Sequence, residues 1–274
     1  MSPDSRADLH IHTTASDGTI TPGGVVEYAT RMGLAAIAIT DHDTSAGVAE
    51  AMAVAERQGI DVIPGLEINT DVGDREMHIL GYLAWPLTPR LAGILELMRS
   101  AREVRIDEMV RRLEKCGIAI SAARVREIAG GGVVGRPHVA RAMVEAGKVR
   151  SIEEAFHLYL DIGRPCYVER YKISPQEAVG EIALAGGVPV LAHPGSARRD
   201  DLIPDLIAAG LRGIEAYHPD HDAGTAERYL GLCKKEGLIP TGGSDSHGED
   251  DRGPTIGRIT VAYEIVAELR AAKP

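Results

Sequence analysis

Nine histidine and acidic residues stand in short motifs along the chain and could bind divalent metal ions. They are His10, His12, Asp17, His42, Glu67, His78, His193, Asp245 and His247. His10 and His12 are two residues apart, so on a β-strand both imidazoles would project from one face and could bind the same ion. Imidazole combined with carboxylate suits Mn²⁺, Zn²⁺ or Fe²⁺ better than Ca²⁺ or Mg²⁺ alone. Nine candidates exceed the needs of one ion and a carboxylate such as Glu67 can bridge two, so the pattern predicts two or three divalent ions.

The chemistry predicted for such a centre is hydrolysis of a phosphate ester. Two neighbouring divalent ions lower the pKa of a shared water molecule and neutralise charge on the phosphoryl group. The leaving oxygen then needs a proton or a metal ion. Asp17, His218 and His247 are the candidate catalytic residues for this step, and the residue pattern does not choose among them.

Basic residues in the middle of the chain could bind a substrate phosphate. Arg102 and Arg105 are three residues apart and would share one face of a helix. Arg136 and His138 lie at the start of a predicted helix, where backbone amides also favour anions. The guanidinium group matches phosphate oxygens in a two-point contact. We therefore predict that these four residues bind substrate. The alternative for the first pair is a solvated helix face with glutamate partners, and the alternative for the second is a capping turn in which Arg136 pairs with a nearby glutamate.

The elements that must position these residues alternate between strand and helix. Apolar strands are predicted at 7–12, 35–40, 61–64, 76–83 and 188–193. The first helix is predicted to begin with Thr21 as its N-cap and Pro22 as its first residue. In parallel α/β folds the carboxyl ends of the strands face the active site, so we expect the motif residues on one rim.

The pattern becomes almost entirely helical after Trp85-Pro86. A long amphipathic helix is predicted at 91–116, and shorter helices follow it. The alternation of strand and helix resumes at Val188. We therefore predict a metal-binding barrel formed by residues 1–86 and 187–274, with a helical insertion at 87–186 that caps the substrate.

Composition limits the functional classes. Hydrophobic residues make up 44% of the 274 residues and aromatic residues only 4%, as expected for a core of aliphatic strands covered by helices. The formal net charge of −10 argues against a general binder of nucleic acid, but it allows a local basic pocket. Three cysteines without a CxxC pair, no apolar leader and no long apolar run lead us to expect a cytoplasmic protein without a membrane span. No stable protein partner is predicted.

Six motifs together resemble the PHP (polymerase and histidinol phosphatase) family. They are Asp8-Leu9-His10-Ile11-His12-Thr13, Ser16-Asp17-Gly18, Ile39-Thr40-Asp41-His42-Asp43, Pro64-Gly65-Leu66-Glu67, His193-Pro194 and Ser244-Asp245-Ser246-His247. The resemblance spans most of the chain and implies an α/β fold, a distorted seven-stranded (β/α) barrel with a helical insertion. It also implies a metal-dependent phosphoesterase, with Mn²⁺ as the expected ion and Zn²⁺ or Fe²⁺ as alternatives.

The same resemblance implies how the metal ligands divide. The first ion would be held by His10, His12, Glu67 and Asp245, the second by Glu67, His78 and His193, and the third by Asp17, His42 and His247.

The helical insertion resembles one branch of that family. This branch removes the 3′-phosphate of nucleoside 3′,5′-bisphosphates, and some of its members degrade short RNA from the 5′ end. The segments 102–105 and 135–138 resemble its substrate-contacting segments. The expected substrate is thus a small phosphorylated nucleotide, and also short RNA. Histidinol phosphate or another small phosphomonoester is the alternative substrate, and a nucleotide-binding module with structural metals is the alternative class.

Overall fold

The computed structural model describes residues 5–73, 75–169, 171–250 and 253–273. Within them, eight strands form one curved sheet in the order β10-β1-β2-β3-β4-β5-β6-β7. In chain order the strands are β1 Arg6–Asp8, β2 Ala36–Ile39, β3 Asp61–Val72, β4 Arg75–Tyr82, β5 Val188–Leu191, β6 Gly213–Tyr217, β7 Ile239–Gly242, β8 Glu249–Asp250, β9 Gly253–Pro254 and β10 Val261–Ala262. Strands β8 and β9 form a separate small hairpin.

Backbone hydrogen bonds between the segments that follow β1 and β7 close the sheet into a barrel. The Leu9 amide donates to the Gly242 carbonyl at 3.2 Å, and the His12 amide donates to the Ser246 carbonyl at 2.9 Å. The expected α/β barrel is therefore confirmed. Its strand count differs from the expected seven because β10 pairs antiparallel with β1 and adds an eighth strand.

Strand β4 runs antiparallel to both of its neighbours, β3 and β5. His78 is near the beginning of this strand and pairs with Asn69 near the end of β3. The start of an antiparallel strand lies beside the end of its neighbour. His78 therefore reaches the same rim as residues that follow the parallel strands.

Eleven α-helices surround or extend the barrel within the described residues. They are α1 Pro22–Arg31, α2 Val48–Gln58, α3 Pro89–Lys115, α4 Ala122–Ala129, α5 Arg136–Glu145, α6 Ile152–Ala155, α7 Pro175–Leu184, α8 Pro194–Ala197, α9 Ile203–Ala209, α10 Ala223–Glu236 and α11 Glu264–Ala271. A π-helical turn at Phe156–Leu160 and a 3₁₀ turn at Asp200–Leu202 complete the set. The Thr21 hydroxyl caps α1 by accepting from the Gly24 amide, as predicted.

The helical region has a hydrophobic core of its own. Its buried members run from Ile106 to Cys166 and form one cluster, separate from the clusters of the barrel. The N-terminal part of α3 and helix α7 instead pack with barrel residues. The separate cluster supports the proposed division into barrel and insertion, while the packing of α7 favours an insertion that ends before this helix.

Two further features bear on the expectations from composition. The Sγ atoms of Cys116 and Cys166 lie 3.7 Å apart although 50 residues separate them in the chain, and both are free thiols. None of the helices in the described ranges is both long and apolar enough to cross a membrane.

Candidate metal centre

The nine predicted metal ligands converge on one rim of the barrel. His10 and His12 follow β1, and their Nε2 atoms lie 3.2 Å apart. The Oδ1 atom of Asp245, which follows β7, lies 3.0 Å from His12 Nε2 and 3.3 Å from His10 Nε2. These atoms therefore converge on one small volume.

Glu67 lies at the centre of the cluster and is fully buried. Its Oε1 atom is 2.9 Å from His78 Nδ1 and 3.1 Å from His193 Nε2. Its Oε2 atom is 2.8 Å from His42 Nδ1 and 3.3 Å from His12 Nε2. With different histidines on its two oxygens, this carboxylate is placed to bridge two ions.

Asp17 and His247 form the outer side of the cluster. His247 Nε2 lies 3.3 Å from Asp17 Oδ1, and His42 Nε2 lies 3.9 Å from Asp17 Oδ2. His12 joins this group, since its Nδ1 is 3.9 Å from Asp17 Oδ1. His12 thus lies between two of the sets that the resemblance implies.

Four buried atoms of the predicted ligands lie close to other ligand atoms, but none of these contacts has the geometry of a hydrogen bond. They are His12 Nδ1, Asp17 Oδ1, His42 Nδ1 and Glu67 Oε2. Buried polar atoms are nearly always satisfied, so a group of orphaned acceptors signals an absent ligand. Imidazole nitrogens and carboxylate oxygens at this spacing fit divalent ions.

The electrostatics of the cluster favour positive charge. Burial lowers the pKa of His12, but Asp245 and Glu67 outweigh it and raise this pKa to about 10. Burial opposes ionisation of Glu67, yet His42 and His78 hold its pKa well below the usual range. Burial likewise opposes ionisation of Asp245, but the neighbouring histidines, chiefly His10, outweigh it and hold the pKa of Asp245 well below the usual range. Ionised carboxylates in a buried site attract cations, as a metal centre requires.

The backbone is strained at three residues of the rim. Asp43, His193 and Asp245 have φ angles of 54°, 24° and 48°. Non-glycine residues at positive φ cost energy and concentrate at functional sites, where the surrounding structure holds them.

Buried aspartates fix the loops that carry the ligands. Asp8 accepts hydrogen bonds from the amide and the hydroxyl of Ser244, next to Asp245. Asp41 accepts from the amide and the hydroxyl of Thr13 and from the hydroxyl of Ser16, on either side of the turn. These aspartates hold the loops and leave the ligands facing the site.

Gly18 allows the turn that carries Asp17 to approach the first strand. A Cβ atom at this position would lie 2.6 Å from the carbonyl oxygen of His12. Any larger residue would push the turn outward, which explains the glycine in the Ser16-Asp17-Gly18 motif.

Glu215 is a functional candidate that the motif search missed. It is fully buried in β6; its Oε1 accepts from His10 Nδ1 at 2.9 Å and its Oε2 accepts from the His193 amide at 2.8 Å. The first contact fixes the His10 tautomer so that Nε2 faces the cluster. The available signal was an acidic residue inside an apolar strand, which must have a buried partner.

The arginines of α3 have partners inside the protein. Arg102 is buried and forms an ion pair with Asp43, and it donates to Asn69 Oδ1 at 2.9 Å. Arg105 is buried, donates to the Val168 carbonyl at 2.5 Å, and stacks over the Tyr167 ring. These contacts explain their burial and weaken the prediction that Arg102 contacts substrate.

His138 and Arg136 differ sharply in their surroundings. His138 is buried, and its Nδ1 accepts from the Gly135 amide at 3.0 Å, which closes the cap of α5. Burial lowers the pKa of His138 to about 4, so the imidazole is neutral. Arg136 forms an ion pair with Glu76 and lines a cavity beside the cluster. The cap formed by His138 and the pairing of Arg136 with Glu76 both fit the capping alternative. Arg136 also lines the cavity, so its contact with substrate stays a prediction.

This first cavity has a volume of about 680 Å³ and opens onto the metal ligands. Its walls include His78, His193, Asp245, Arg75, Arg136 and His218. Of the three catalytic candidates, only His218 lines this cavity among the described residues. Asp17 is buried, and His247 lines a different cavity. His218 Nδ1 accepts from the Asp220 amide, so its proton lies on Nε2, 3.3 Å from Asp245 Oδ2.

The family model described as the PHP domain matches residues 8–163. The chain is 36% identical to a 3′,5′-nucleoside bisphosphate phosphatase of Chromobacterium violaceum, over 92% of this chain and 91% of that protein. It is 33% identical to a phosphoribosyl 1,2-cyclic phosphate 1,2-diphosphodiesterase of Eggerthella lenta, over 91% of this chain and 97% of that protein. It is also 34% identical to the 5′-3′ exoribonuclease Rnm of Escherichia coli, over 88% of this chain and 84% of that protein.

A solved structure shares the whole fold. A protein of Bifidobacterium adolescentis described as a metal-dependent phosphoesterase matches with a TM-score of 0.91 and 32% sequence identity, over 100% of this chain and 98% of its own.

Proposed function

This chain belongs to the PHP family of metal-dependent phosphoesterases, and from that premise we propose that it removes the 3′-phosphate of nucleoside 3′,5′-bisphosphates. Adenosine 3′,5′-bisphosphate would yield AMP, and the same centre would also trim short RNA from its 5′ end. The names of two relatives support this choice of substrates. The observation that carries the proposal is the cationic wall beside the metal ligands.

Arg136 and Arg75 form that wall in the first cavity. The Arg136 guanidinium lies over the rings of Phe156 and Tyr167, at 5.3 and 5.9 Å, which limits its orientations. Behind it, the Nη2 atom of Arg105 is buried and has no hydrogen-bond partner in the described part of the chain. A second phosphate on the substrate would bring an anion to this wall in addition to Glu76, whereas a monoester would bring none.

We propose that the nine ligands hold two or three divalent ions, with Mn²⁺ preferred over Zn²⁺ or Fe²⁺. When bound, the ions supply an activated water and neutralise charge on the phosphoryl group. Among the protein groups, Glu215 orients His10, and the basic wall orients the nucleotide. His218 is the favoured catalytic candidate because it lines the first cavity, where its Nε2–H could donate a hydrogen bond to the leaving 3′-oxygen. Asp17 and His247 stay alternatives.

A small monoester such as histidinol phosphate is a second candidate for one specific reason. Asp161 and Asp220 also line the first cavity, and an exposed carboxylate could bind the amine of such a substrate. Glu76, the other acidic residue there, is already paired with Arg136 and Lys172.

Turnover of the two substrates by the Mn²⁺-loaded protein tests the proposal. Phosphate release is expected to be much faster from adenosine 3′,5′-bisphosphate than from histidinol phosphate. Faster release from histidinol phosphate, or none from the bisphosphate alongside turnover of another ester, would overturn the substrate assignment. We also propose a cytoplasmic location, which localisation of a tagged chain would check.

A further inference from the structure

A second cavity also reaches the predicted metal centre, where Asp245 and His247 line it. It has a volume of about 690 Å³ and meets the first cavity at His218, Asp220 and Asp245. A substrate group bound at Asp245 would therefore have space on both sides. A phosphomonoester needs only one of these spaces, because its phosphorus carries a single organic group.

We propose that the second cavity binds the nucleotide on the 3′ side of the scissile phosphate. This inference rests on the proposed function, since it takes the first cavity to hold the 5′ nucleotide. It adds to that function the place where the downstream nucleotide of a phosphodiester binds, and a 5′-phosphorylated dinucleotide is the smallest substrate that would occupy both cavities. The second cavity then explains how one centre could serve both a bisphosphate and an RNA end.

The reaction is the same in both substrates. The oxygen of water forms a bond to phosphorus, and the bond between phosphorus and the 3′-oxygen breaks. The proton from water ends on the 3′-oxygen. With a bisphosphate the products are a nucleoside 5′-phosphate and inorganic phosphate; with a dinucleotide they are two nucleoside 5′-phosphates.

The walls of the second cavity suit a nucleotide. Arg141 and Arg258 supply guanidinium groups, and Arg141 also donates to the Asp17 carbonyl at 2.8 Å. Ile152 and Ile259 supply apolar surface for a base or ribose. Pockets of a few hundred Å³ with apolar walls and a few polar groups are typical of sites for molecules of this size.

Acidic side chains also line this cavity, namely Asp220 and Glu249. They would repel a phosphate placed beside them and therefore favour a position for it near Arg141. Ile152 is 41% exposed, so its side chain is accessible from this cavity. A stacked base would cover it.

Filling the cavity tests the assignment. The Mn²⁺-loaded protein is assayed with adenosine 3′,5′-bisphosphate and with the 5′-phosphorylated diadenosine dinucleotide. In Ile152→Trp the ratio of kcat/KM for the dinucleotide to that for the bisphosphate should fall at least about ten-fold, because the indole occupies the space of the downstream nucleotide. Ile259→Trp fills the same cavity from a different segment and should act alike if the first variant folds poorly.

Two control variants separate this effect from general damage. Ile162→Trp makes the same change in the first cavity, so it should lower both activities and leave their ratio within about two-fold. Leu158→Trp changes an exposed aliphatic residue outside both cavities and should leave both activities unchanged.

Each outcome counts for or against the assignment. Cleavage of the bisphosphate but not of the dinucleotide by the unaltered protein overturns the assignment of the second cavity and leaves the proposed 3′-phosphatase function intact. Cleavage of the dinucleotide alone counts against the proposed phosphatase function and not against the cavity. The assignment is also overturned if Ile152→Trp and Ile259→Trp both fold and both leave the ratio of the two kcat/KM values unchanged.

Discussion

The metal rim and the helical insertion use charged residues in opposite ways. On the rim, Glu67 and Asp17 are buried among imidazoles, and each has one carboxylate oxygen without a hydrogen-bond partner among the described residues. In the insertion, Arg102 and Arg112 have partners inside the protein, Asp43 and the Tyr167 carbonyl. Buried carboxylates gathered with imidazoles at strand ends indicate a cation-binding site, whereas an arginine on a helix can equally well stabilise the fold. The comparison predicts that substitutions on the rim abolish turnover, while most arginine substitutions in the insertion affect stability.

The largest effect is expected for Asp245→Asn. The amide keeps the shape of the side chain but removes the negative charge beside His10 and His12, so kcat for phosphate release should fall on the order of 10³-fold. Steady-state assays with saturating Mn²⁺ measure this loss. Asp201→Asn, an exposed residue paired with Arg199, is the matched control; a loss below ten-fold in a folded Asp245→Asn protein would contradict the assignment.

Glu215→Gln should weaken metal binding roughly 10–100-fold. Glutamine has one acceptor oxygen, so it cannot accept from both His10 Nδ1 and the His193 amide. Competition with a chelator measures the affinity directly, and excess Mn²⁺ should restore much of the activity. Glu181→Gln, which changes a partner of Arg90, should leave the affinity unchanged. Equal metal affinities of the two variants would show that Glu215 does not support metal binding.

Arg136→Met tests whether Arg136 binds substrate, unlike the other arginines of the insertion. Loss of a charge-assisted hydrogen bond to a phosphate should raise KM for the bisphosphate roughly 10–50-fold with a smaller change in kcat. The exposed Arg111, paired with Glu108, provides a control in Arg111→Met that should behave as the unaltered protein. If Arg136→Met leaves KM unchanged, the cationic wall does not bind substrate.

The smallest effect concerns stability and pH at His138. Its pKa is about 4 when folded and near 6.5 when unfolded, so the unfolded chain binds the proton first as the pH falls. The contribution of the neutral His138 to the free energy of unfolding is therefore complete above about pH 6.5. It declines as the pH falls from there towards 4. Between pH 7 and pH 5 the loss should be about 1–2 kcal/mol.

His138→Gln isolates that contribution. Glutamine at this helix position can still accept from the Gly135 amide but does not titrate. Urea unfolding at the two pH values should show a smaller pH dependence in the variant than in the unaltered protein. The same pH dependence in both proteins would show that His138 is not held neutral by the fold.

The rim could be predicted from sequence because strand ends meet there whatever the details of packing. His10, His12 and Glu67 needed only a strand assignment and a residue type. The pairing of Arg102 with Asp43, 59 residues away, depends on how the insertion packs on the barrel, which no local pattern encodes. The antiparallel direction of β4 and the buried contact of Glu215 depend on tertiary structure in the same way, so the sequence could not reveal them.

A titration of the metal-free protein with Mn²⁺, followed by electron paramagnetic resonance, tests the central claim most directly. The nine converging ligands predict two or three ions per chain, with a spectrum of magnetically coupled ions at saturation because the ligand sets share Glu67 and His12. Saturation at one ion per chain, or a spectrum of isolated ions at every ratio, would contradict a shared multi-ion centre.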